Sequence, residues 1–82
     1  MQNDKNYWSK VVTKILKVEL AKRGIDYPSL VAKLCEINVN INVEDLRGRM
    51  SRGTFSAALF IQCLRAIGVT SLPIEESYFE QK

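Results

Sequence analysis

The chain contains no histidine, and its two cysteines, Cys35 and Cys63, sit inside apolar helical patterns without CxxC spacing. That pair of absences removes the usual zinc constellations and Cys-His catalysis, and makes both thiols candidates for buried free cysteines. There is also no phosphate-cradling glycine loop and no convincing pair of acids around a pocket, so the chain is read as a non-enzyme without a cofactor. No apolar run approaches the roughly 18 residues that a membrane span needs, and the polar start MQNDKN is unlike a signal peptide. A cytoplasmic protein with no membrane partner is the expectation. Repeats, low-complexity tracts and alternating strand patterns are missing as well, which leaves an all-α class.

What is present suits one small domain. Eighty-two residues with 46% apolar content can fill a single core. The net charge of +3 and the pI near 9.0 favour an anionic partner, although a protein that wraps DNA is usually far more basic. The position of the charges therefore carries more information than their sum.

Turn signals divide the chain into four helices, with room for a fifth in a compact bundle. Residues 1–6 read as a flexible start, 7–69 as the helical domain and 70–82 as an extension. The first helix is expected to run from about Tyr7, with Asn6 as cap, to Arg23, where Gly24 supplies a left-handed stop. At 100° per residue Trp8, Val11, Val12, Ile15, Leu16, Val18 and Leu20 cover more than half of its circumference, and Lys10, Lys14 and Lys17 form a narrow opposite stripe. Asp26 is placed to cap the second helix, with Pro28 in its first turn and Leu30, Val31, Leu34 and Ile37 facing inward. Asparagines alternate with Val39 and Ile41 up to Asn42, where a third helix starts, and that helix ends at Gly53. Thr54 or Ser56 caps a fourth, whose Phe55, Leu59, Phe60, Cys63, Leu64 and Ile67 make a broad apolar surface up to Gly68. Beyond it, Ser71 and Pro73 could start another helical turn, Tyr78 and Phe79 can dock, and the last residues are expected to fray.

The third helix carries the functional reading. Val43, Leu46 and Met50 make its inward stripe, which leaves Glu44, Asp45, Gly48, Ser51 and Arg52 outward and Arg47 and Arg49 flanking. Glycine in the middle of an exposed helix costs about 0.5–1 kcal/mol relative to alanine. Gly48 is thus either a tolerated weak point or a bare spot that lets a DNA backbone or base edge come close. Arginines 47, 49 and 52 can fork onto a guanine edge or a phosphate, while Glu44 and Asp45 oppose a polyanion unless they serve the helix dipole. Glu19 lies within the apolar arc of the first helix and needs a cation. Its partner is either an arginine of the third helix or Arg23, one turn along its own helix.

The segments ELAKRGI, YPSLVAKL, EDLRGRMSRG and LRAIGV resemble the helix-turn-helix domains of the phage-repressor and Cro type, and more closely a set of short bacterial proteins of unknown function. The resemblance covers Trp8 to Val69. It implies that the second and third helices form the DNA-reading pair, with Asn40, Asn42, Arg47, Gly48, Arg49 and Arg52 near the groove and Tyr27 or Ser29 near a phosphate. The turn from Cys35 to Asn42 is longer than the repressor pattern, and Ser51 stands where those proteins often carry glutamate. The function expected is sequence-selective binding of double-stranded DNA in transcription regulation. Lys10, Lys14 and Lys17 would add phosphate contacts, and a homodimer would sit on paired half-sites. The alternative is a protein-interaction module, regulatory or antitoxin-like, using the same helix on an acidic partner.

Overall fold

A computed structural model of the protein describes residues 5–79, with side chains from Tyr7 onward. Four α-helices follow one another: α1 (Lys5–Arg23), α2 (Tyr27–Glu36), α3 (Val43–Arg52) and α4 (Ala57–Ala66). A 3-10 turn, Glu76–Phe79, closes the described chain, and no strand occurs among the described residues. The radius of gyration is 12.7 Å. A packed domain of this length is expected near 12 Å, roughly 2.2·N^0.38, so the helices are folded on one another and not strung out.

Local chemistry sets the helix ends. Asp26 Oδ1 accepts from the Ser29 backbone N–H at 2.9 Å, Asn42 Oδ1 from Asp45 at 2.7 Å, and the Ser56 hydroxyl from Leu59 at 3.0 Å. Each cap satisfies a first-turn donor that has no partner within its helix. Of the two residues considered for α4, Ser56 is therefore the cap. The α2 stop uses Asn38 at φ 66° in place of glycine, and the Val39 N–H reaches back to the Leu34 carbonyl at 2.9 Å. At the end of α3 only glycine fits: Gly53 has φ 68°, is buried, and a Cβ there would lie 3.3 Å from Ser9 Cβ. That close approach presses the C-terminal end of α3 against α1.

The main core joins Leu16 and Leu20 of α1, Leu30 and Leu34 of α2, Leu46 and Met50 of α3, and Leu59, Cys63, Leu64 and Ile67 at α4. A smaller cluster packs Tyr78 against Val11 and Ile15, and Phe60 and Leu72 border both clusters. The docking expected of Tyr78 is thus present, with Lys14 Nζ donating to its carbonyl at 3.4 Å.

Several expectations are corrected. The first helix begins two residues before Tyr7, which puts Asn6 inside it and not at its cap. Trp8, placed on the buried arc, is 47% exposed and packs edge-on against Tyr7 with Phe79 nearby. Periodicity assigns a face but not a depth, and this end of α1 extends beyond the main core. Ile37 is exposed because α2 has already ended and the residue serves as its C-cap. Cys35 is exposed, whereas Cys63 is fully buried as expected. Expectations for residues 1–4 and 80–82 lie outside the described residues.

Candidate functional site

The outward face of α3 is built by the helix period. With Leu46 and Met50 buried, the opposite side of the circle falls on Glu44, Gly48 and Arg52, and Arg47 with Ser51 and Arg49 with Asp45 form its two flanks. Arg47, Ser51 and Arg52 are exposed. The Arg47 guanidinium lies over the Tyr27 ring, 5.8 Å from its centroid, so α2 supports this side chain through a cation–π contact. Arg52 folds back along the helix, and a Cβ added at Gly48 would come within 2.9 Å of its Nη1. The bare backbone at Gly48 is therefore roofed by a guanidinium that any incoming group must displace or bind.

Arg49 is the most committed of the three. Its Nε donates to Asp45 Oδ1 at 3.2 Å and its Nη1 to the Thr54 carbonyl at 3.4 Å, which ties it along the helix and over the turn. Asp45 also balances its charge. Free cationic character on α3 consequently concentrates on Arg47 and Arg52.

Beside the Ser51 flank, a cleft of about 320 Å³ is lined by Lys10, Thr13, Lys14 and Lys17 of α1 and by Met50 and Ser51 of α3. The lysine stripe read on the first helix thus borders the candidate helix. Thr13 is buried, its hydroxyl donating to the Lys10 carbonyl at 3.1 Å. Lys10 and Lys17 are exposed and form no ion pair with any described residue. Thr13, Met50 and Ser51 were not singled out as site residues from the sequence. Ser51 was visible on the outward face, but its nearness to the lysines depends on how α3 crosses α1.

Other expected site residues fall elsewhere. Asn40 and Asn42 line a separate apolar cleft of about 370 Å³ with Val31, Cys35, Val39 and Ile41. The Asn42 side chain is already engaged as the cap of α3. Ser29 is exposed at the start of α2, but its N–H is taken by Asp26, whose carboxyl this bond holds below the usual 3.8. A carboxylate at that helix mouth disfavours a phosphate there.

Residues 8–72 match the family described as a domain of unknown function, DUF6471. The chain belongs to that family. No curated protein and no solved structure is found to match it. The DUF6471 match runs from Trp8 in α1 through Leu72, and so contains both the α3 face and the lysine-lined cleft.

Glu19 answers the question raised by its buried position. Only 1% exposed, it receives Arg23 Nη1 at 2.6 Å and Lys22 Nζ at 3.3 Å, both from its own helix. Burial pushes the carboxyl up, but the hydrogen bonds and charges of Arg23 and Lys22 together outweigh it and leave the group below its ordinary 4.5. An arginine of α3 is not its partner. None of the α3 arginines is spent on that carboxylate, and all remain at the surface. No group of three or more metal-ligating side chains occurs among the described residues.

Proposed function

We propose that this DUF6471 domain binds double-stranded DNA, using α2 and α3 as a helix-turn-helix pair of the repressor type. The supporting observation is that the outward stripe of α3, with Arg47 and Arg52 exposed around Gly48, adjoins an α1 cleft carrying Lys10, Lys14 and Lys17. Arg47 and Arg52 are suited to fork onto base edges or phosphates in the major groove, and the lysines to neutralise backbone phosphates alongside. Arg49 acts mainly as a brace, since Asp45 and the turn already hold it. In a cell such a domain would serve transcription regulation in the cytoplasm.

The test is fluorescence anisotropy with mixed-sequence duplex DNA at low salt, repeated over a salt series. Each phosphate contact contributes a slope of about −0.9 in log K against log salt, so a slope of several units supports the reading. Absence of binding at micromolar protein would transfer the surface to a protein partner. One observation favours that second reading: Glu44 and Asp45 interleave with the arginines, and a surface of both signs suits a regulatory or antitoxin-like adaptor.

A further inference from the structure

The cleft between α1 and α3 is unbalanced in charge. Lys10, Lys14 and Lys17 line it, and no acidic side chain does. Like charges one turn apart on a helix repel, so these ammonium groups destabilise α1 unless an anion sits among them. The protein itself supplies none: Lys10 and Lys17 pair with no carboxylate of a described residue. Lys14 donates to the Tyr78 carbonyl at 3.4 Å, which steadies it and leaves it further N–H donors. Thr13 and Met50, both buried, form the floor, and Ser51 stands exposed on the α3 wall. The Thr13 hydroxyl is already given to the Lys10 carbonyl, whereas that of Ser51 makes no hydrogen bond among the described residues.

From this arrangement we infer that the cleft binds the di- or triphosphate chain of a small phosphorylated ligand. Lysine is a compact point charge that suits phosphate oxygens, while planar carboxylates are better matched by the guanidinium fork, and no arginine lines this cleft. Spacing sets the length of the chain. Lys10 and Lys17 lie about 10 Å apart along α1, at roughly 1.5 Å per residue, so phosphoryl groups in a row meet successive ammonium groups. A duplex offers the same phosphoryl oxygens, but a recess of about 320 Å³ admits the end of a free chain more fully than the convex edge of a double helix. Backbone phosphates reach the exposed lysine tips; a free chain also reaches the Ser51 hydroxyl and the floor. The inference shares its lysines with the duplex-binding reading but does not rest on it. Where both ligands bind, they compete for the same ammonium groups, which makes the small ligand a regulator of the α3 face.

Amide NMR spectra of the full chain, titrated with inorganic triphosphate at constant ionic strength, test the site without DNA. Expected are saturable shifts centred on Lys10 to Lys17 and on Met50 and Ser51, with a Kd of about 100 µM or tighter. Lys17→Ala is expected to weaken binding at least about fivefold, while Lys33→Ala, which removes the same charge from α2, leaves it within about twofold. Alanine is favoured in helices, so neither variant should melt early; were Lys17→Ala to do so, Lys10→Ala takes its place. The inference is overturned by shifts that grow without saturating, by shifts that leave α3 unmoved, or by equal losses from Lys17→Ala and Lys33→Ala. A parallel titration with duplex DNA separates the two sources of phosphate. If duplex shifts the α1 lysines and triphosphate does not, those lysines serve backbone phosphates alone and the small-ligand site falls. If triphosphate saturates the cleft and duplex does not bind, the site stands and the DNA reading falls.

Discussion

Helices α3 and α4 are built by the same local means and end up with opposite surfaces. Both have ten residues, both start at an uncharged cap that takes the N–H three residues on, and both are followed by a glycine with positive φ. Their inward stripes serve one core. Outside, α3 presents Glu44, Asp45, Arg47, Arg49, Ser51 and Arg52 around a glycine, whereas α4 presents two alanines, Ile61 and a single arginine. Caps and periodicity thus make a helix without deciding its use. The outward third is free to vary, and there the two helices diverge into a charged face and a mostly apolar one.

The largest test of this comparison concerns anchoring. Two residues of α3, Leu46 and Met50, are buried, against Leu59, Cys63 and Leu64 in α4. Leu46→Ala is expected to cost about 2–5 kcal/mol in urea unfolding, since the side chain is fully enclosed. With a single further buried contact, α3 should also lose amide protection before α4 does, which hydrogen exchange would report. Equal protection of the two helices would remove the claimed asymmetry.

Next in size is the functional contrast between the two outer faces. Replacing Arg47 or Arg52 by alanine should weaken duplex binding by about 1–3 kcal/mol with little change in melting temperature, while Arg65→Ala on α4 leaves affinity as it was. A phosphate-contacting lysine behaves differently. Lys10→Ala or Lys17→Ala should reduce the salt slope by roughly one unit without changing sequence preference. If Arg65→Ala weakens binding as much as Arg47→Ala does, the division of labour between α3 and α4 fails.

Much of this was legible in the chain, and the reasons differ by residue. Asp26, Asn42, Gly24 and Gly68 act within a turn of themselves, as does Gly53 in stopping α3, so these roles follow from neighbouring residues alone, whereas the close approach of Gly53 to Ser9 does not. The inward positions of Leu46, Met50, Leu59 and Cys63 follow from a 3.6-residue period. Trp8, Ile37 and Cys35 were misread because a stripe does not reveal where the neighbouring helices stop. The lysine cleft beside Ser51 and the Arg47–Tyr27 contact were out of reach for a related reason: each depends on how two helices cross. Glu19 shows the limit of the argument from burial. A buried carboxylate requires cations, but that requirement is met just as well by Arg23 and Lys22 reaching back along the same helix.

Gly48 gives a smaller effect with two opposite signs. In a helix, alanine is favoured over glycine by about 0.5–1 kcal/mol. The added Cβ would meet only the far end of the Arg52 side chain, which can swing away. Gly48→Ala should therefore stabilise the fold by roughly that amount in thermal or urea unfolding. If a DNA backbone or base edge approaches α3 at this point, the same variant binds duplex more weakly. A more stable protein with undiminished affinity would reduce Gly48 to a tolerated weak spot and leave Arg47 and Arg52 to carry the interface. The corresponding substitution on the α4 face, Ala58→Gly, should lower stability by a similar amount and leave DNA affinity unchanged.

The smallest effect separates the caps by charge. Asn42 and Ser56, which start α3 and α4, do not titrate, but Asp26 at the start of α2 does, and its hydrogen bond to the Ser29 N–H holds its folded pKa below 3.8. A carboxyl depressed in this way contributes stability above its unfolded pKa and loses it as pH falls through the folded value. Glu19, held below 4.5 by Arg23 and Lys22, acts in the same direction. The acid limb of the stability curve should then begin below about pH 4.5 and be shallower in Asp26→Asn, which can still accept the bond without a charge. Ser56→Ala, by contrast, should lower the melting temperature in acid and at neutral pH alike, because the bond it removes has no proton to gain. An Asp26→Asn curve that falls as steeply in acid as the unaltered chain would mean that other carboxylates, Glu19 first among them, set the acid response.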